Sequence, residues 1–435
     1  MKKLILFFGF LLFYCSTFAQ YDKPLTLDDC IRNGIQNSKT LRISKSKIQG
    51  AESKLKEVNS SRLPSVKFTG SYTRLSEVEP FSIEFNGRLM TISQVLLNSY
   101  QMRLTLQQPV FTGFRLQNTA DMSEYNLLAS EEDFVKDQKI LIFDIKNAFW
   151  QLFSIKESLK SMDESINQMK AHIADLENMF KAGLATSNDL LKTKLQLSNL
   201  ELSRIDIDNG LQTTRMVLNN LIGFPVYNNT EIESKLNYNE TQMQTREELL
   251  KNAFMERNDL KAMELRIKAG ESAVQIAKSG WYPQLFVGGN YLMANPNSRI
   301  MPTRNEFIGT WDMGLTLSMD IWNWRTYSHQ THQAEAQLEQ TKFALDQIKD
   351  GISLEVAQNE MAIRKLKEKI EHLNRTIEQA EENFRVTNEK FKSGIVINSE
   401  LLDAETALLV SKINYTTALA EYQIALAKLE KSLGK

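Results

Sequence analysis

Two hydrophobic periods alternate along the chain. Val66, Phe68, Gly70 and Tyr72 occupy every second position with Lys67, Thr69, Ser71 and Thr73 between them, and Tyr100, Met102, Leu104 and Leu106 do the same against Gln101, Arg103, Thr105 and Gln107. A two-residue period predicts strands with one apolar and one polar face, here over about 64–75 and 100–111. The pattern returns in Leu285, Val287, Gly289, Tyr291 and Met293, and in Trp311, Met313, Leu315, Leu317, Met319 and Ile321, predicting strands over about 283–294 and 311–322. Between these pairs the period lengthens. Leu152, Ile155, Leu159, Met162, Ile166, Met169, Ile173, Leu176 and Phe180 are spaced by three and four, as are Ile363, Leu366, Ile370, Leu373, Ile377, Ala380, Phe384, Thr387 and Phe391. A sustained 3.5-residue period is the seam of a helical coil. No proline interrupts 116–180 or 326–391, so each stretch predicts a helix on the order of 100 Å long at ~1.5 Å per residue.

The chain is written twice. At an offset of 219, Thr26, Leu41, Pro64 and Tyr72 fall on Thr245, Leu260, Pro283 and Tyr291; at 211, Leu104-Thr105-Leu106 falls on Leu315-Thr316-Leu317 and Phe180-Lys181-Ala182-Gly183 on Phe391-Lys392-Ser393-Gly394. The change of offset is absorbed where residues 78–99 face the shorter 295–309, as surface loops allow. The expected organisation is a first repeat over 20–224, a linking segment over 225–245 and a second repeat over 246–435, each repeat carrying two strands and a long helical hairpin with tips at 181–189 and 392–400.

Residues 1–19 pair Lys2 and Lys3 with an apolar run and end in Thr17-Phe18-Ala19, which predicts a secretory signal segment. Tyr14 before Cys15 is bulky where lipid attachment needs a small residue, and without the first 19 residues Cys30 is the sole cysteine, so no intrachain disulfide is expected. Beyond residue 19 no apolar run is long enough for a membrane helix. An exported chain with amphipathic strands of about 9–11 residues fits an outer-membrane barrel, and Trp281, Trp311, Trp322 and Trp324 flank the strands as interfacial aromatics do. Four strands cannot close a barrel, because closed sheets in membranes need about 8 or more. Two copies would give a small filled barrel and three a hollow one, so conduction favours a homotrimer.

The hairpin tips carry the most specific motif. Phe180 to Leu191 (FKAGLATSNDLL) is mirrored by Phe391 to Leu402 (FKSGIVINSELL). Gly183 and Gly394 read as helix C-caps, and Ser187 and Asn398 as N-caps of the returning helices. Capping leaves Leu184, Ile395, Val396 and Ile397 unexplained, and apolar residues on such a turn suggest docking onto another protein's helices. Glu400 and Asp403 share a helix face near the start of the returning helix, and in a trimer would form rings of carboxylate that attract cations; Asp189 is the first-tip counterpart of Glu400.

In these duplicated halves, the strand pairs opening at Leu63-Pro64 and Tyr282-Pro283 and the Gly183-Leu184 and Gly394-Ile395 tips, the chain resembles the TolC-like outer-membrane efflux protein family. The resemblance implies a mainly helical chain with membrane strands. It also implies a trimeric 12-strand outer-membrane β-barrel in outer-membrane lipid, a 12-helix periplasmic α-barrel and an equatorial belt around 223–245. It implies a passive exit duct for efflux or type I secretion, joined through a periplasmic adaptor protein to an inner-membrane transporter. By motif position Gly183, Leu184, Gly394 and Ile395 would meet the adaptor, and Glu400, Asp403 and Asp189 would line the periplasmic constriction. One position departs from the pattern: some members carry an arginine two residues after the second-tip glycine, where this chain has Val396.

The remaining chemistry is sparse. Lys and Arg total 52 against 53 for Asp and Glu, which excludes a polyanion-binding surface from bulk charge, so no nucleic-acid partner is expected. P-loop, HExxH, GxSxG and CxxC motifs are all missing, so neither an enzyme nor a cofactor is expected, and His329 and His332 lack an obvious third metal ligand. An exported coiled-coil scaffold and an adaptor-independent porin stay open as alternatives.

Overall fold

The computed structural model describes residues 23–92, 95–233 and 244–435. The expected signal segment, with Cys15, lies outside the described residues, as does the middle of the expected linker at 225–245. The order of elements is α1 (Leu27–Asn37), α2 (Lys39–Ser60), β1 (Ser65–Arg74), β2 (Ser82–Phe85), β3 (Arg88–Thr91), β4 (Asn98–Thr112), α3 (Arg115–Lys181), α4 (Ser187–Ile222), α5 (Arg246–Glu256), α6 (Asn258–Lys278), β5 (Gln284–Asn295), β6 (Ile308–Ser318), α7 (Thr326–Lys392) and α8 (Asn398–Ser432). Two compact units emerge, one from Met1–Ser38, Leu141–Gln242 and Ala362–Lys428, the other from Lys39–Ile140, Met243–Met361 and Leu429–Lys435, each taken over its described residues. Each unit draws on both copies of the repeat.

The strand unit holds one four-stranded antiparallel sheet in the order β1-β4-β5-β6. Its register puts Val66, Leu106, Gly289 and Met313 on one line across the sheet, followed by Phe68, Leu104, Tyr291 and Trp311. Directly opposed residues share a face, so the apolar rows read from sequence merge into one continuous apolar surface. It is uncovered: Phe68 is 68% exposed, Met313 75% and Leu317 68%. The opposite face carries a polar ladder in which the Thr105 hydroxyl donates to Asn290 Oδ1 at 2.8 Å and Asn290 Nδ2 donates to Asp312 Oδ1 at 2.8 Å. A greasy outer face and a hydrogen-bonded polar face are the two sides of a membrane barrel wall.

The last predicted strand is corrected in position. β6 spans Ile308–Ser318 rather than 311–322, because its final partner is Gln284 and the preceding residue, Pro283, has no N–H to extend the ladder. At its other end, pairing continues to Ala294 opposite Ile308. Trp311 therefore lies within β6 opposite Tyr291, whereas Trp322 and Trp324 follow the strand and Trp281 precedes β5 in a 3-10 turn. Aromatic clusters mark both ends of the sheet. Tyr72 and Tyr100 stack at 5.0 Å at one end, and Trp322 and Trp324 meet edge-on at 5.6 Å at the other. The region read as a variable loop contains the β2–β3 hairpin, turned by Asn86 and Gly87 at φ 52° and 72°.

Chain reversals set the entry into the long helices. Gly113 adopts φ 63° between β4 and α3, and a Cβ there would lie 2.5 Å from the Ser279 carbonyl oxygen, so only glycine fits. α3 and α7 each run 67 residues, about 100 Å along the helix at ~1.5 Å per residue. Their predicted seams are the buried positions of the hairpin unit: Leu152, Met162, Ile166, Met169 and Leu176 on α3, and Ile363, Ile370, Ala380 and Phe391 on α7. Phe180 is the exception at 45% exposed, one residue from the end of α3, where no further turn covers it. No helix among the described residues is long and apolar enough to cross a membrane.

Candidate functional site

Both hairpin tips end in the same backbone device. Gly183 donates to the Phe180 carbonyl at 3.0 Å and Leu184 to Met179 at 2.8 Å; Gly394 donates to Phe391 at 2.9 Å and Ile395 to Lys390 at 2.9 Å. This nested pair of bonds is the Schellman cap, and it requires the left-handed φ of 74° and 71° that the two glycines supply. A Cβ at either glycine would meet nothing within 4 Å, so the need is for the backbone conformation and not for space.

In such caps the residue after the glycine often folds back on the helix. Here Leu184 is 74% exposed and Ile395 71%, and Ile397 is exposed as well. Val396 behaves differently from its expected role. It packs against the cluster of Leu176, Phe391 and Leu401, together with Met179, Ala185, Leu190 and Phe384. The position that departs from the family pattern is thus a small piece of core, and the outward apolar set reduces to Leu184, Ile395 and Ile397.

The two returning helices begin differently, and both expected N-caps are corrected. α4 is capped by Thr186, not Ser187: the Asp189 N–H donates to Thr186 Oγ1 at 3.1 Å, and the Thr186 N–H donates to Asp189 Oδ2 at 3.2 Å. That reciprocal box engages the carboxylate of Asp189, so the acid serves the fold of its own tip. Asn398, read as a cap, is instead 4% exposed and turned inward. Its Oδ1 pairs with His172 Nε2 at 2.7 Å, and its Nδ2 donates to Thr193 Oγ1 at 2.9 Å and to the Asp189 carbonyl at 3.3 Å. One amide thereby ties α8 to α3 and α4. Burial holds the His172 imidazole below its usual range, against the raising influence of Asn398 and Asp175, so the ring is neutral at pH 7 and also packs edge-on to Phe391 at 5.1 Å. Sequence reasoning missed this knot because its three side chains lie on three helices, and only the polar His172 beside the apolar Ile173 on α3 hinted at it.

Glu400 and Asp403 are exposed on the first turns of α8, three residues apart and on one face as predicted. Leu191 and Leu195, both 64% exposed, Leu202 at 63% and Ile205 at 55% form an uncovered apolar stripe on α4. In the strand unit, Trp281, Trp311, Trp322 and Trp324 are 51%, 73%, 74% and 82% exposed. His332 lies 3.4 Å from Glu335, and no group of three or more potential metal ligands occurs among the described residues.

The comparisons with known proteins agree with this geometry. The family model described as outer membrane efflux protein matches residues 30–224 and 249–435. Toxin and drug export protein A of Aggregatibacter actinomycetemcomitans is 20% identical over 333 residues, 72% of this chain and 68% of that protein. Outer membrane protein OprJ of Pseudomonas aeruginosa is 20% identical over 409 residues, 92% of this chain and 82% of that one. The fold matches the CmeC outer membrane channel of Campylobacter jejuni with a TM-score of 0.81 at 14% identity, covering 94% of this chain and 85% of that one. It matches the outer membrane protein VceC of Vibrio cholerae with a TM-score of 0.77 at 17% identity, covering 94% and 96%. A membrane-type sheet, duplicated hairpins and a family match over both repeats lead to one conclusion: the chain belongs to the outer membrane efflux protein family, as a non-enzymatic outer-membrane efflux channel.

Proposed function

We propose that three copies of this chain close a twelve-strand barrel and act as the passive exit duct of a tripartite efflux or type I secretion system. The observation that carries the reading is the pair of open edges. The sheet order β1-β4-β5-β6, antiparallel throughout, leaves the outer edges of β1 and β6 unpaired and the two strands running in opposite directions. β6 of one copy can therefore add to β1 of the next as an ordinary antiparallel pair, and the addition repeats until the ring closes and no edge is left. Eleven residues in β6 span about 36 Å at ~3.3 Å each, or about 25 Å of membrane at a tilt near 45°, which suits the apolar band of an outer-membrane barrel. Three copies supply twelve strands and a lumen, with the Thr105, Asn290 and Asp312 ladder facing it.

In this reading the exposed Leu184, Ile395 and Ile397 are the docking surface for a periplasmic adaptor that links the duct to an inner-membrane transporter. Gly183 and Gly394 shape that surface through their backbone. Glu400 and Asp403 would ring the periplasmic constriction, and energy comes from the transporter.

The test is to change Leu184→Glu and Ile395→Glu together, leaving both glycines intact. Site-specific crosslinks to the adaptor and pump-dependent export should be lost, while single-channel conductance and a heat-sensitive trimer band stay as in the parent. Undiminished export would remove the docking assignment, and a monomer in detergent would remove the barrel assignment. Gly183→Asn and Gly394→Asn, which tolerate the left-handed conformation, should keep export.

A further inference from the structure

The least expected side chain in the hairpin unit is Glu405. It sits on α8 between Leu402 and Leu409, which pack with Met162, Ile166, Met169 and Leu200 where α8 rests on α3 and α4. Glu405 is 7% exposed, and its Oε2 has no hydrogen-bond partner. The next residue, Thr406, accepts a bond from Gln196 of α4 at 3.4 Å, so this turn of α8 touches the neighbouring hairpin. A carboxyl in such a seam is favoured as the neutral acid, because an ion there loses hydration without gaining a partner at Oε2.

Charged side chains on the helices packed here hold partners of their own, among them Arg204 of α4 with Asp163 of α3 at 2.6 Å. On α3, Lys170 pairs with Glu201 at 3.6 Å and His172 is held by Asn398. On α4, Lys194 pairs with Glu177 at 2.8 Å. On α7, Arg385 binds Glu382 at 2.7 Å and Glu389 at 3.2 Å. On α8 itself, Lys412 lies 4.0 Å from Glu164, and Glu400 and Asp403 are exposed. Burial alone pushes the Glu405 carboxyl up from an ordinary value of 4.5 to about 7.

We propose that Glu405 is a gating residue of the duct: its neutral carboxyl lets α8 stay seated on α3 and α4, and its ionisation draws the α7–α8 tip away so that water reaches the carboxylate. The inference rests on reading these hairpins as the gated end of a duct. The proton released on separation goes to bulk water, and no other group need change charge.

The sign follows from linkage. The seated state binds the proton more tightly than the separated state, in which a hydrated carboxyl returns to its ordinary value, so separation is favoured as pH rises through the interval between 4.5 and about 7 and levels off above it. For one protomer the separation constant should rise about 20-fold between pH ~5.5 and ~7.5.

Two measurements test this on the full protein: open probability in planar bilayers, and hydrogen exchange of peptides covering 398–413, corrected for intrinsic rates. The parent should show the rise in both. Glu405→Gln should flatten both, Glu405→Leu should hold the seam shut at every pH, and Glu400→Gln with Asp403→Asn should leave the exchange rise in place. A Glu405→Gln protein that keeps the parent's pH response overturns the proposal. If no channels form at all, the duct reading fails, and the exchange data still decide whether Glu405 controls the seam.

Discussion

Asn398 offers the sharpest test of how the tips are held. Replacing Asn398→Ala removes its bonds to His172, Thr193 and the Asp189 carbonyl at 2.7, 2.9 and 3.3 Å. The three partners do not suffer equally. The Thr193 hydroxyl still donates to the Asp189 carbonyl at 2.9 Å, so both of those groups keep a partner. His172 Nε2, at a residue 7% exposed, is left with none. An orphaned buried donor costs about 1–3 kcal/mol, and the lost contacts of the amide add to it, so the seam should weaken by about 2–3 kcal/mol. Local opening should then rise ~30- to ~150-fold, since about 1.4 kcal/mol is a factor of ten. Hydrogen exchange of peptides from the end of α3 and the start of α8 reads this directly. The companion variant His172→Phe with Asn398→Leu removes both polar partners and retains an aromatic ring against Phe391, so it should lie within about 1 kcal/mol of the parent. If the single variant exchanges like the parent, or the double variant is as loose as the single, the knot does not hold the tip.

Two further outcomes follow from the start of α8. Glu400→Ala with Asp403→Ala should raise single-channel conductance and reduce cation preference; unchanged current and selectivity would show that these acids do not face the constriction. Ile397→Thr should create a Thr-x-x-Glu capping box, the counterpart of the Thr186–Asp189 box at the first tip, stabilising the start of α8 by about 1 kcal/mol in local exchange and diverting the Glu400 carboxylate into the cap. Exchange protection that stays flat would mean the turn cannot adopt the cap geometry.

The periodic parts of the molecule were legible and the irregular parts were not. Val66 to Tyr72 and Leu285 to Met293 announce their strands because a strand with one apolar and one polar face has no freedom to break the alternation. The end of β6 was misread because Met319 and Ile321 continue the alternation, whereas the ladder stops for want of a donor in its partner, at Pro283. Asn86-Gly87 is a hairpin signal in the segment where the two repeats differ in length, with no counterpart in the second repeat to mark it. Asn398 and Glu405 were out of reach for another reason. At a turn, asparagine looks like a cap, and on α8 a glutamate looks like solvent-facing surface; only the packing of three helices reveals that both point inward.

The repeat sharpens that point, because residues at equal positions in the two halves have been put to different uses. At the offset of 211, Thr186 corresponds to Ile397, Ser187 to Asn398 and Lys194 to Glu405. The first tip closes on itself through the Thr186–Asp189 box, and Lys194 faces solvent, 49% exposed and paired with Glu177. At the second tip the threonine is lost to an exposed isoleucine, which frees Glu400, while the asparagine and the glutamate turn toward the other hairpin. Both tips share the backbone cap, but only the first adds a side-chain box at the start of its returning helix, whereas the start of α8 relies on side chains that cross between helices. Under the proposed gating, this asymmetry places the movement on the α7–α8 hairpin and the anchorage on α3–α4. Glu400 and Asp403, outside any such box, lie on that same hairpin, so an opening of the kind proposed would carry them with it.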